Sequence, residues 1–393
     1  MSKYADVAFM CVAFSSNMLG NYMLQSVRDA QIAIVGPNLA SQLMMASSFL
    51  SLAVGNQAHR LVQPTINSTA EYIRLFYRFY CIVLLISMSV PLSDGGNEIP
   101  LCIAFLCTQT LNNMAISLQW SFASDVFSTV KYFSFFGAAA TIGQFAGSLV
   151  ALLPFVSLRF LPLLVSISLE FSSYCMVRSA SLSSETPRKA ENKVDQLWLG
   201  DYYAQAIAVY MLFYASSLSL IYLERTAAVS DEMDFESAAR TSAQLNVVAA
   251  ILTFAVQVQV ARGTSFLSRI DVGIFVLPIL TLAHVVFFQF SSQYHLWGIL
   301  AFELLRRILA FAIVKPVREA LYNVMERRKK YSVKSVVDTF MYKGGMGIGA
   351  AMYRWNLNVS ALQLTLFYVT FSVLWILCSV VILKQRNKLC NSN

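Results

Sequence analysis

Apolar runs of 18 to 28 residues recur along the whole chain, and a run of that length is what a helix needs to cross about 30 Å of hydrocarbon. They fall near 4–26, 39–57, 72–92, 100–127, 132–155, 157–177, 202–223, 238–261, 270–290, 295–321, 335–354 and 362–384. Lipid offers no hydrogen bonds, so each run must satisfy its own backbone and can only be helical unless it closes a barrel. The 393 residues are 57% hydrophobic and 13% charged, more apolar surface than a soluble chain of this length can cover. The expected fold class is therefore all-α integral membrane, with about twelve transmembrane helices.

The net charge of +8 follows from where lysine and arginine fall, and it is not a nucleic-acid footprint. With twelve spans and an internal N-terminus, the internal side receives Arg60, Arg74, Arg178, Arg188, Lys189, Lys193, Arg262, Arg269, Arg327 to Lys330, Lys334, Lys384, Arg386 and Lys388. The other side receives Asp94, Glu98, Glu224, Asp231, Glu232, Asp234 and Glu236. Both termini are thus expected in the cytoplasm. The partners expected are the lipid bilayer and a small-molecule anionic substrate, with no nucleic acid, for a monomer. The seven cysteines lie almost all within spans, without metal or disulfide spacing, and read as small hydrophobes. Of two glycosylation sequons, Asn67-Ser68-Thr69 falls inside and Asn358-Val359-Ser360 outside.

One polar, proline-containing link separates six spans from six. It predicts an N-terminal bundle over 1–178, a cytoplasmic linker over 179–200 and a C-terminal bundle over 201–393. The second half opens with Asp201-Tyr202-Tyr203-Ala204 much as the first opens with Lys3-Tyr4-Ala5-Asp6, and Arg28 and Arg225 close the first and seventh spans. Two six-helix halves on a cytoplasmic linker are the layout of the major facilitator superfamily, in which substrate binds near midplane.

Polar residues inside the spans mark candidate sites, because an ion at mid-membrane costs about 2.5–3.5 kcal/mol. Asn17, Asn21, Gln25 and Arg28 lie within about 80° on one helical face, followed by Asp29. Such a stripe lines a substrate path or packs the bundle through interhelical hydrogen bonds. In the fourth span Gln109, Asn113, Ser117, Ser121 and Ser124 repeat the pattern, beside Trp120 and Asp125. Trp120 would stack on a flat ligand or anchor at the interface. Gly143 and Gly147 make a G-x-x-x-G face for close helix approach. In the tenth span Glu303 and Arg307 form an i, i+4 pair. Arg307, Lys315 and Arg318 fall within roughly 80° of one another, next to Pro316 and Glu319. Lys334 and Asp338 make another such pair, Lys343 precedes a glycine-rich segment, and Glu170 and Arg240 are further charges within spans.

Catalytic patterns are absent. There is no H-E-x-x-H and no G-x-S-x-G among the three histidines and the serines, so no enzyme, metal or cofactor is expected.

Three strings resemble the ATP/ADP translocase-like branch of the major facilitator fold. They are Asn21-Tyr22-Met23-Leu24-Gln25-Ser26-Val27-Arg28-Asp29-Ala30, then Trp120-Ser121-Phe122-Ala123-Ser124-Asp125, and lastly Val314-Lys315-Pro316-Val317-Arg318-Glu319. The last continues through Lys330-Tyr331 and Asp338-Thr339 to Tyr342-Lys343-Gly344-Gly345. Gln25-Ser26 stands where that group has arginine-proline, and Met346 where it has an acidic residue. The resemblance implies a multi-pass antiporter exchanging nucleotides of the ATP/ADP type, or related organic anions, by alternating access. Arg28, Lys315, Arg318 and Lys343 would neutralise phosphate, Trp120 or Tyr342 would face the base, and Asn21 would join them in binding substrate. Asp29, Glu319 and Asp338 would hold the cations when the site is empty. The alternatives are a proton-coupled carrier titrating at Glu170 or Asp125, and a non-transporting scaffold or sensor on the same fold.

Overall fold

A computed structural model of the chain describes residues 5–62, 69–87, 98–127, 130–153, 160–182, 201–261, 269–290, 296–325, 333, 336–356 and 361–392. The asparagines of both sequons and most of the 179–200 linker lie outside the described residues. The described residues form twelve helical rods and no strand. The first eight are α1 (Ala5–Val35), α2 (Pro37–Val62), α3 (Thr69–Ser87), α4 (Glu98–Val126), α5 (Val130–Leu152), α6 (Leu161–Leu182), α7 (Tyr202–Glu232) and α8 (Phe235–Ala261). Then α9 (Ile270–Gly273) resumes after a turn as Val276–Phe290. Next, α10 runs from Leu296–Leu309 through Ala310–Val314 into Lys315–Leu321. Finally α11 comprises Val337–Met341 and Tyr342–Asn356, and α12 is Ala361–Ser392.

Among the described residues, six of these helices (α1, α4, α5, α7, α8 and α12) are each long and apolar enough to cross a membrane alone. The others are interrupted or carry more polar residues. Several helices outrun the apolar runs that announce them: α1 continues to Val35 and α7 to Glu232. The apolar run stops at the first charge, but the backbone hydrogen bonds of the helix run on past it. Arg28 and Arg225 therefore lie inside helices and do not close them.

Two compact units result. The first comprises Met1–Gly36, Leu50–Glu191 and Met233–Ala250, the second Pro37–Phe49, Asn192–Glu232 and Ile251–Asn393. In the first unit α1 packs against α5 and α6. Gly143 and Gly147 allow this approach, since a Cβ at either position would strike the backbone of Ser15 or Leu19. Serines fasten the other side: Ser172 donates to the Ala13 carbonyl (2.8 Å) and Ser168 to that of Ser16 (3.0 Å). In the second unit α7 packs against α11 by the same device. A Cβ at Gly345 would meet Leu212, and one at Gly349 the backbone of Ser216. The Ser216 hydroxyl donates to the Gly345 carbonyl at 2.9 Å.

Helix α10 is not uniform. Residues Ala310–Val314 form a π-turn just before Pro316. The proline has no N–H and its ring crowds the carbonyl four residues back, at Ala312, so the helix widens there. An extra residue rotates the remainder of the helix by about 100°. The basic face expected from Arg307, Lys315 and Arg318 is consequently not formed: Arg307 is buried, Lys315 exposed and Arg318 half-buried.

Candidate functional site

In the first unit the polar residues of α1 meet those of α3 and α4. Asn17 donates to Gln119 Oε1 (2.5 Å) and to Tyr77 Oη (3.1 Å). Asn21 Oδ1 accepts from Asn112 (2.7 Å) and from Arg28 Nη2 (3.3 Å). Arg28 Nη1 donates to Gln109 Oε1. The amide stripe expected on α4 is thus shifted. Gln109, Asn112 and Gln119 point inward, and Ser117 is exposed.

Arg28 is 6% exposed, its Nε makes no hydrogen bond, and among the described residues no carboxylate stands within ion-pair distance of it. Asp29 does not hold it. Consecutive helical residues do not face each other, and the Asp29 carboxylate instead accepts from Ser242 of α8 at 2.5 Å. The site thus presents a buried guanidinium clamped by neutral amides. Trp120 stands edge-on to Phe14 with ring centroids 4.5 Å apart, and Phe14 stacks on Phe136. It belongs to that aromatic core. The side chain of Asp125 lies outside the described residues.

In the second unit Glu303 of α10 accepts from Arg306 (2.7 and 2.9 Å) and from Arg307 (2.6 Å). The pair expected with Arg307 is present, and Arg306 joins it at i+3. Arg225 of α7 lies over the Tyr222 ring and within electrostatic reach of Glu303. Tyr214 of α7 and Tyr342 of α11 lie near Arg306, their ring centroids 6.2 Å apart. Glu303 thus draws Arg306, Arg307 and Arg225 together in one buried cluster. Lys343 Nζ sits 5.7 Å from the Tyr342 ring, Lys315 Nζ 5.9 Å from that of Phe311, and Arg318 Nη1 donates to Met211 Sδ at 3.7 Å. The side chains of Glu319 and Asp338 lie outside the described residues.

Two placements depart from expectation. Glu170 is not an isolated interior carboxylate, because Arg78 of α3 pairs with it at 3.2 Å and both side chains are about half exposed. Glu224, read as an external loop residue, lies within α7. It accepts from Tyr368 Oη of α12 (2.5 Å) and bonds His284 Nε2 of α9 (2.8 Å). Nothing in spacing could reveal that trio, since its members come from three distant helices.

No protein-family model matches the sequence, and no curated protein matches it. Solved structures do. A bacterial homologue of the iron transporter ferroportin in an inward-facing state aligns over 98% of this chain and 100% of its own, at TM-score 0.63 and 12% identity. An auto-inhibited POT family peptide transporter aligns over 98% and 96%, at 0.62 and 11%. The nucleoside transporter NupG aligns over 96% and 98%, at 0.58 and 15%. The fold is of the major facilitator type. The chain is accordingly an integral, multi-pass membrane protein. At such identities these likenesses carry the fold, and not the narrower ATP/ADP translocase-like branch that the three strings resemble.

Proposed function

We propose that this protein is a secondary transporter of organic anions that works by alternating access, and that nucleotides exchanged in the ATP/ADP manner are its substrates. The carrying observation is Arg28: a buried cation whose hydrogen bonds all go to neutral amides. A buried charge without a counter-charge is strongly unfavourable. An anionic ligand supplies what the protein withholds, and a guanidinium suits phosphate or carboxylate because it can bind either in bidentate fashion. Such a centre suits exchange, since returning empty leaves the cation uncompensated in low dielectric. Both termini are cytoplasmic in this reading, from the lysine and arginine asymmetry.

The test is uptake by proteoliposomes holding the full chain, preloaded with ADP and supplied with labelled ATP, sugar phosphates or amino acids. Preloading should accelerate ATP entry over empty vesicles. Arg28→Gln should weaken ATP binding by about 1.5–3 kcal/mol, roughly 10- to 150-fold, while its substrate-free melting temperature stays equal or rises. Uptake by Arg28→Gln at the wild-type rate would remove Arg28 from the site. A sharp loss of substrate-free stability would make it a structural residue.

A further inference from the structure

The trio in the second unit has no part in the proposed anion binding. His284 is 3% exposed and Glu224 21% by side chain. Glu224 uses both carboxylate oxygens, one for the Tyr368 hydroxyl at 2.5 Å and the other for His284 Nε2 at 2.8 Å. The Phe302 ring of α10 covers the imidazole, with centroids 4.2 Å apart. Further charged and titratable groups lie near Glu224 on α7 and α11. Arg225 follows it on α7 and turns to Tyr222 and Glu303, and Asp231 lies further along α7. Tyr353 of α11 lies near both Glu224 and Asp231.

We infer that Glu224, His284 and Tyr368 form a proton-binding site, and that the proton held there moves with the anion during exchange. The geometry accommodates both occupancies without breaking a contact. Without the extra proton, neutral His284 donates from Nε2 to the carboxylate and Tyr368 donates to its other oxygen, leaving one net negative charge. With it, either the imidazole is charged and the trio is an ion pair, or Glu224 carries the proton and donates to Nε2. In both forms the trio is neutral. Carrying a net charge through an apolar interior is costly, so the protonated form is the one suited to the conformational step. The proton is taken from water on one side and returned to water on the other, and only O–H and N–H bonds change. Coupling rests on the anion-carrier reading; the proton site stands on its own geometry.

Infrared difference spectra of the full chain in proteoliposomes, between about pH 5 and pH 8, test the site without a substrate. A titrating carboxyl or imidazole band should appear in wild type, vanish in Glu224→Gln and shift in Tyr368→Phe. Spectra identical in wild type and both variants, or no titration in wild type, would overturn the site. In ADP-loaded vesicles with the membrane potential clamped, an acid exterior should raise the initial rate of labelled ATP entry several-fold in wild type and leave Glu224→Gln flat. A wild-type rate indifferent to the gradient would overturn the coupling. Absence of ATP entry with the Glu224 band retained would support the proton site and count against the nucleotide reading.

Discussion

Arg28 and Arg225 occupy the same place in two equal helices. Arg28 lies 23 residues after Ala5 and Arg225 lies 23 residues after Tyr202, and α1 and α7 are each 31 residues long. The contacts earlier in these helices repeat as well: Ser15 and Leu19 abut Gly143 and Gly147, and Leu212 and Ser216 abut Gly345 and Gly349. Each α1 residue and its α7 counterpart stand 197 positions apart in the chain. The repeat lives in steric positions and not in side-chain identity, because in each pair a glycine lets the partner helix's backbone come close. The two arginines differ in surroundings, one among amides and the other over a tyrosine ring near a carboxylate.

The glycine contacts are directly testable. Gly147→Ala and Gly349→Ala should each lower stability by about 1–3 kcal/mol, the usual cost of overpacking. Gly137→Ala and Gly344→Ala, where a Cβ would meet nothing within 4 Å, should not. Thermal melts of the purified variants measure this, and equal melting of all four would dismiss the close-approach account.

Glu303 is the carboxylate that bonds both Arg306 and Arg307. Glu303→Gln should cost about 3–5 kcal/mol, because it strands buried cations. Adding Arg307→Gln should restore part of that loss. A double-mutant cycle decides it, and strictly additive losses would count against coupling.

The Arg78 and Glu170 pair sits on the outer surface of the first unit, beside exposed Leu75, Phe79, Ile167 and Phe171. Replacing either residue by leucine should depress expression in membranes more than replacing both, since a single replacement leaves a lone charge among apolar neighbours. The pH profile of transport should be unchanged in the double variant. A flattened profile would return Glu170 to consideration as the titrating group.

Arg318 tests the nucleotide reading in the second unit. Arg318→Lys exchanges a bidentate fork for a point charge and should raise the apparent KM for ATP about tenfold, the equivalent of 1.4 kcal/mol, at unchanged expression. An unaltered KM would take Arg318 out of the site.

The twelve helices could be read from the chain because lipid leaves the backbone a single option wherever about twenty apolar residues run together. The α1 stripe was equally plain, since helical periodicity places Asn17, Asn21 and Arg28 on one face whatever they pack against. So was the pairing of Glu303 with Arg307, which depends only on a helix's own geometry. The partners of those residues were not legible. That Asp29 turns to Ser242, that Asn112 and Gln119 point inward where Asn113 and Ser117 were expected, and that Glu224 meets His284 and Tyr368 are facts about helices distant in sequence. The π-turn before Pro316 likewise rotates Lys315 away from Arg307. Periodicity orders residues along one helix, whereas which charges are neutralised depends on neighbouring helices that only tertiary packing supplies.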